Sequence, residues 1–393
     1  MEPEFDHSDE ERLLLEAIEA RATDIHIDPL TEAYCVRFRI DGILRVRRTL
    51  SRDEGEKLVN QIKANAGIDP GTVFHPVGMR EKWNLRGESI DFRVTLVPCV
   101  SGPKIAIRVL DLNRIERRLS HLGLQDQDRE CLERWASELN GMILVTGPTA
   151  SGKTSTVYAL LHDLANESRH VITVEDPVEY EINGINQIQV DERHGVDFAE
   201  GIRASLRLDP DCLMVGEIRE AEAAKQSVNA AVQGHVVLAT MHSRDAASAI
   251  TRLRNFGLHD HQISAALGVL VNQRLVRKLC WECVEMGDAT EKERSFFERR
   301  GLSAPERAGT APGCDACDGV GYHGRTGIFE VWNLQEPEYD AILKGKDERY
   351  LREEVDKEDY TSLLSDARAK VESGVTSVAE LIRTHTDLPW QAG

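Results

Sequence analysis

Residues 11–20 (ERLLLEAIEA) space their apolar side chains for a helix, and the segments after them switch to strict alternation. DIHIDP (24–29) alternates. AYCVRFRI (33–40) and ILRVRRT (43–49) flank Asp41-Gly42, a two-residue turn suited to a hairpin. A helical stretch is expected around 53–66. In 88–97, Ile90, Phe92, Val94 and Leu96 alternate with Asp91, Arg93 and Thr95. In 104–110, Ile105, Ile107 and Val109 alternate with Lys104, Ala106 and Arg108. The two runs predict a second, half-buried hairpin. Together these elements predict a small α+β domain over residues 1–111. Residues 112–124 carry three arginines, lack a strand period and are expected to form a linker. From 125 onward, helical segments alternate with continuous apolar runs: MILVTG (142–147), HVITVED (170–176), CLMVGE (212–217) and HVVLATMH (235–242). Apolar strands between helices predict a parallel sheet covered on both faces.

A length of 393 residues suits two or three domains. The 41% hydrophobic and 29% charged fractions are those of a soluble globular chain. No apolar run approaches the ~20 residues that span a bilayer. The opening MEPEFDHSDEER is acidic and polar, unlike a signal peptide, so a cytoplasmic location is expected. Net charge is -19, from 48 basic and 67 acidic residues. Such a chain repels a phosphate backbone, and nucleic acid is not expected as the main partner.

GPTASGKT at 147–154 fits G-x-x-x-x-G-K-[ST], follows an apolar strand and opens a helix. Backbone N–H groups of such a loop, with the helix N-terminus, present partial positive charge to an anion. Lys153 is placed to reach the β- and γ-phosphates, and the Thr154 hydroxyl to ligate Mg²⁺. Glu217 ends the apolar run LMVGE, where a carboxylate beside the loop handles Mg²⁺ and the attacking water. VITVEDPVEY offers Glu175, Asp176 and Glu179 at the end of the preceding strand; they suit water polarisation, indirect Mg²⁺ binding or a solvated turn alike. His235 and His242 bracket one strand, and at ~3.3 Å per residue they lie over ~20 Å apart. His242 is at the carboxyl end, where ligands bind in open α/β sheets. It is a candidate sensor of the γ-phosphate, or a satisfied strand-end histidine.

Of eight cysteines, Cys35, Cys99, Cys131 and Cys212 sit in or beside apolar runs and read as buried thiols. Cys280-Trp-Glu-Cys283 and Cys314-Asp-Ala-Cys317 are half-sites that together can close one structural tetrahedral Zn²⁺, with free thiols or a redox pair as the alternatives. Arg37, Arg39, Arg45, Arg47 and Arg48 crowd the first hairpin, and Arg80, Arg93 and Arg108 follow. An arginine delivered to a phosphate stabilises transition-state charge. Pairing with neighbouring acids is the plainer role for most of them.

In order, the phosphate loop, VEDPVEY, RLDPDCLMVGEIREAEAA, GHVVLATMHSRDA and the cysteine pairs resemble the secretion ATPases of type II secretion systems and the type IV pilus extension ATPases. The resemblance covers nearly the whole chain: DIHIDP and VRFRIDGIL match the family's second N-terminal domain, GRTGIFEV and SGVTSVAELIR its C-terminal end. It implies an α/β fold. A small N-terminal α+β domain precedes a RecA-like P-loop ATPase domain (125–393), with a zinc-binding tetracysteine insertion (280–317) and a helical C-terminal part (330–393). It implies a hexameric cytoplasmic motor using ATP, Mg²⁺ and Zn²⁺, held at the inner membrane through a platform protein. Gly147, Pro148, Thr149, Ala150, Ser151, Gly152, Lys153, Thr154 and Ser155 match its nucleotide loop. Glu217 matches its Walker B glutamate. Glu175 falls near the catalytic water, His235 and His242 in the histidine box. Arg93 and Arg108 match positions that approach phosphates from the first domain. The four cysteines match its zinc site, which retraction ATPases usually lack, so assembly or secretion is favoured.

The chain departs from the pattern at Ala150, where glycine is usual, at Arg244 in MHSRDA, at Pro103, and in FHPVGMR (74–80). It starts near the second N-terminal domain, so the family's first one is expected to be missing. Two other readings stand beside the motor: a nucleic-acid translocase on a similar core, and a non-hydrolysing nucleotide-binding regulator.

Overall fold

The computed structural model describes residues 8–69, 75–85, 88–110, 118–138, 140–165, 168–353, 355, 357 and 359–384. The chain divides into two compact units, residues 1–115 and 116–393. Residues 112–117 of the expected linker lie outside the described residues. Leu119 and Leu122 just beyond them are buried.

The first unit runs α1 (Asp9–Glu19), β1 (Ala22–Pro29), β2 (Ala33–Ile40), β3 (Ile43–Ser51), α2 (Arg52–Asn65), β4 (Val77–Leu85), β5 (Glu88–Cys99) and β6 (Gly102–Leu110). Its six strands pair antiparallel in the order β3-β2-β1-β6-β5-β4. Asp41 (φ +50°) and Gly42 (φ +84°) both turn left-handed between β2 and β3, as a two-residue hairpin requires. Ser51 and Glu54 form a reciprocal cap that starts α2. Ile25, Ile27, Val36, Phe38, Phe92, Val94, Ile105 and Ile107 make the core with Leu13, Leu14, Leu58 and Ile62 of the helices. Their alternates on the strands form a charged face. There Arg80, Arg93 and Arg108 stand opposite one another across β4, β5 and β6. Strand β4 was not legible, because Glu81 interrupts its alternation of Val77, Met79, Trp83 and Leu85. Of the four lone cysteines expected to be buried, only Cys212 is; Cys35 and Cys131 are partly exposed, and Cys99 is exposed where it ends β5 at the turn.

The second unit runs α3 (Asp126–Glu138), β7 (Gly141–Thr146), α4 (Lys153–Leu164), β8 (Val171–Glu175), β9 (Asn186–Gln189), α5 (Phe198–Ser205), β10 (Cys212–Val215), α6 (Ala221–Val232), β11 (Val236–Met241), α7 (Ala246–Asn255), α8 (Asp260–Ala266) and β12 (Leu267–Leu279). It continues with β13 (Glu285–Asp288), α9 (Glu291–Glu298), β14 (Arg307–Thr310), β15 (Tyr322–Asn333), α10 (Glu336–Leu343), α11 (Glu348–Glu353), β16 (Tyr360–Thr361), α12 (Leu363–Glu372) and α13 (Val378–Thr384). The sheet order is β16-β15-β12-β7-β11-β10-β8-β9. From β12 to β9 neighbouring strands are parallel; β15 and β16 close one edge antiparallel. The four apolar runs are β7, β8, β10 and β11, nearly all buried. A separate core of Val276, Phe297, Ile328, Ala367, Val371 and Leu381 holds α9, α12 and α13 on β12 and β15.

Candidate nucleotide site

Strand β7 delivers the chain to a loop whose conformation needs small residues. Gly147 has φ +145°, Ala150 φ +61° and Gly152 φ +93°. A Cβ on Gly147 would sit 2.5 Å from the Gln273 carbonyl oxygen and 2.6 Å from Ser151 Oγ. Ala150 therefore takes the left-handed conformation that glycine adopts freely, at a cost of ~1 kcal/mol. Helix α4 opens at Lys153 with no side-chain cap, whereas α1, α2, α5 and α7 are each capped by a side chain. The first-turn N–H groups of α4 are left for another acceptor, and an anion supplies one. Ser151 Oγ is likewise buried without a partner. Pro148, Thr149, Thr154 and Ser155 line the exposed rim.

The Lys153 ammonium donates to the carbonyls of Gly147 and Pro148, each at 3.0 Å. Burial pushes its pKa down to about 8; Arg274 adds to the fall and Glu217 opposes it. His242 follows β11. Its Nδ1 lies 3.0 Å from the Gly147 carbonyl oxygen and 3.3 Å from Lys153 Nζ. Its Nε2 lies 2.7 Å from Glu217 Oε1 but off the axis of a hydrogen bond, so this buried oxygen has no aligned donor. Glu217 Oε2 accepts from Arg219 Nε at 2.5 Å, and Arg219 Nη1 donates to Asp176 Oδ2 at 3.0 Å. Three strand ends thus meet: the loop after β7, Glu217 after β10 and His242 after β11.

Glu175 ends β8 and is 2% exposed. Tyr158 of α4 donates to Oε2, while Thr173 Oγ1 (2.6 Å) and Gln187 Nε2 (3.2 Å) donate to Oε1. Its two oxygens are engaged by three protein donors. The Glu179 amide donates to the Tyr158 oxygen at 3.3 Å. His235 precedes β11 at the opposite end of the sheet, with Nδ1 2.9 Å from the Pro210 carbonyl oxygen. Arg93 and Arg108 lie in the first unit, directly opposed across β5 and β6, and Arg108 Nε donates to Asp24 Oδ1 at 3.1 Å.

Sequence reasoning missed the strand that braces the loop. In β12, Asn272, Gln273 and Arg274 interrupt an otherwise apolar run, yet all three are buried. Gln273 Nε2 donates to the Ser151 carbonyl (2.9 Å), and its Oε1 accepts from Thr156 Oγ1 (2.8 Å). Asn272 Nδ2 donates to Thr146 Oγ1 (2.9 Å), and Arg274 Nη2 to the Arg244 carbonyl (2.7 Å). A polar triplet inside a buried strand was the available signal, since buried polar groups are retained where they have partners.

The cysteine pairs converge. Sulfur separations are 3.8 Å (Cys280–Cys314), 4.0 Å (Cys283–Cys317) and 3.8 Å (Cys314–Cys317), and all four ligand atoms lie within 4.8 Å of one another. Tetrahedral Zn–S bonds of ~2.3 Å require sulfurs ~3.8 Å apart, so the residues fit the ion. Burial pushes the Cys317 thiol up, but the Cys314 and Gly321 amides, each 3.2 Å from its sulfur, outweigh it and hold it at about 6. The knuckles join β12 to β15 and carry the β13–β14 hairpin between them.

A RecA-like parallel sheet, a phosphate loop with an uncapped helix, and a carboxylate and histidine on the neighbouring strand ends define a P-loop nucleotide-binding protein. The chain belongs to the type II/IV secretion system protein family, whose family model matches residues 7–383. It is 39% identical over 371 residues to the putative type II secretion system protein E of Escherichia coli K12, covering 94% of this chain and 75% of that one. To the type II secretion system ATPase E of Vibrio cholerae it is 38% identical over 371 residues, covering 94% and 73%. Among solved structures it resembles the Legionella pneumophila ATPase DotB, with a TM-score of 0.70, 22% identity and coverage of 95% and 94%. It also resembles the pilus retraction motor PilT with bound ADP, with a TM-score of 0.63, 24% identity and coverage of 96% and 97%. Both show a shared fold. Among the described residues, no helix is long and apolar enough to cross a membrane.

Proposed function

We propose that this chain hydrolyses ATP as the subunit of an oligomeric, hexameric motor that drives type II secretion or type IV pilus assembly. The carrying observation is the meeting of Lys153, His242 and Glu217 at one loop, with a buried Glu217 oxygen lacking an aligned donor. Lys153 and the first-turn N–H groups of α4 hold the β- and γ-phosphates. Thr154 would hold Mg²⁺, which neutralises phosphate charge when bound. A water donating to Glu217 Oε1 attacks the γ-phosphorus in line; its proton passes to the carboxylate, the bond to the bridging oxygen breaks, and ADP and phosphate leave. Glu217 Oε1 faces His242 Nε2 at 2.7 Å beside the loop without an aligned hydrogen bond, whereas three donors occupy Glu175, which favours Glu217 as the base. His242 links base and loop, a geometry suited to sensing the γ-phosphate. The family resemblance adds Arg93 and Arg108 as phosphate ligands and an inner-membrane platform as partner. Zn²⁺ on Cys280, Cys283, Cys314 and Cys317 is structural, with no open ligand position.

Steady-state hydrolysis is measured across protein concentrations, with Glu217→Gln and Lys153→Ala alongside. Turnover that rises cooperatively with concentration and disappears in both variants supports the motor. Nucleotide binding without turnover at any concentration would replace it with a nucleotide-gated regulator.

A further inference from the structure

Arg219 was not singled out by the sequence, yet it is the cation nearest the proposed base. Its Nε donates to Glu217 Oε2 at 2.5 Å and its Nη1 to Asp176 Oδ2 at 3.0 Å. One guanidinium therefore joins a carboxylate after β10 to one after β8, strands that pair directly in the sheet. The two acids differ in setting: the Glu217 side chain is 15% exposed, the Asp176 side chain 43% and Arg219 56%. Asp176 in turn is fixed by its neighbour Glu175, which Tyr158, Thr173 and Gln187 anchor in the interior. A mechanical line thus runs from α4, the helix that begins at the phosphate loop, through Tyr158 and Glu175 to Asp176, Arg219 and Glu217.

Building on the ATPase reading above, we propose that Arg219 is a positioning residue. By binding Oε2 it holds the Glu217 carboxylate with Oε1 turned towards His242 and the phosphate loop, and Asp176 holds Arg219 there. The acidic cluster after β8 then acts on hydrolysis through this arginine rather than by touching substrate. A planar guanidinium can serve two carboxylates at once in fixed geometry; an ammonium is a single point charge on a flexible stem. The arrangement also explains why an exposed arginine sits beside a half-hidden carboxylate: the pair is worth little for stability at this exposure, but it restricts one rotamer.

The test uses the full chain and measures kcat, KM and, separately, the dissociation constant of a fluorescent ATP analogue. The variants are Arg219→Gln, Arg219→Lys, Asp176→Asn and the Arg219→Gln/Asp176→Asn double. Misorienting the base costs on the order of 10²-fold in rate, so Arg219→Gln is expected to lower kcat ~10- to 100-fold, with KM and analogue affinity within ~2-fold. Asp176→Asn lowers kcat less, and the double variant equals Arg219→Gln alone, because both changes act on one unit. Arg219→Lys keeps the charge and recovers only part of kcat; full recovery would show that charge alone suffices and would overturn orientation as the mechanism. An unchanged kcat in Arg219→Gln sinks the proposal, as does a raised KM with intact kcat, which would make Arg219 a substrate ligand. Multiplicative losses in the double variant would separate Asp176 from Arg219. The ATPase reading fails differently, with wild-type turnover that is absent or indifferent to Lys153→Ala.

Discussion

Replacing Gln273 with alanine removes the amide that ties the phosphate loop to β12. Gln273 is 1% exposed. The change deletes the 2.9 Å bond to the Ser151 carbonyl and the 2.8 Å bond from Thr156 Oγ1. Thr156 keeps a longer acceptor in the Gly152 carbonyl at 3.4 Å, so the Ser151 carbonyl is the main group left unpaired. Each lost bond is worth about 1 kcal/mol, and an orphaned buried acceptor adds about 1 more, so the expected loss is ~2–3 kcal/mol. In a domain of this size that lowers the melting temperature by roughly 5–10 °C. The loop also spends less time in its binding conformation, and nucleotide affinity is expected to fall ~10-fold. At saturating nucleotide this removes ~1.4 kcal/mol of ligand-linked stabilisation. Thermal unfolding with and without ATP·Mg²⁺ measures both effects. If Gln273→Ala melted within about 1 °C of wild type and gained the same shift from nucleotide, the brace would be incidental.

Burial holds Lys153 at about 8, below its ordinary 10.5, so between these values the unfolded chain binds more protons than the folded one. The free protein is expected to bear the full penalty below about pH 8 and lose it as pH rises towards 10.5, while nucleotide affinity weakens over the same rise because phosphate requires the ammonium. An affinity flat across that window refutes this. Tyr158→Phe deprives buried Glu175 of a donor and should cost about 1.5–3 kcal/mol, read as a lower denaturation midpoint at constant m; an unchanged midpoint would mean water replaces the hydroxyl. Metal analysis should find about one zinc per chain, lost in Cys317→Ser together with protease resistance of the 280–321 segment. Zinc retained in that variant would place the ion elsewhere.

Where chemistry was written in consecutive residues, it could be read. GPTASGKT announced its loop, Asp41-Gly42 its turn, and the C-x-x-C pairs their cluster, because each pattern forces its own local geometry. The sequence marked Ala150 only as a departure from the usual glycine; its left-handed φ of +61° came from the structure. Strands β9, β12, β15 and β16 were not read. β9 is short and half exposed, and β12 hides its period behind Asn272, Gln273 and Arg274. The C-terminal part begins with β15 and turns helical only at Glu336, since its apolar run pairs antiparallel with β12.

The sequence alone thus determined the phosphate loop, the alternation that builds most of the first sheet, the buried parallel strands and the two cysteine pairs. Each of these is written in a short spacing, the cysteines as two separate C-x-x-C pairs that the fold brings together. Tertiary structure alone decided which strand ends become neighbours. The order β12-β7-β11-β10-β8 puts His242 between the loop and Glu217, lets Arg219 bridge to Asp176, and presses Gln273 against the loop. Periodicity reports that a residue is buried but not what it is buried against, because parallel strands meet through crossovers whose order no local pattern records.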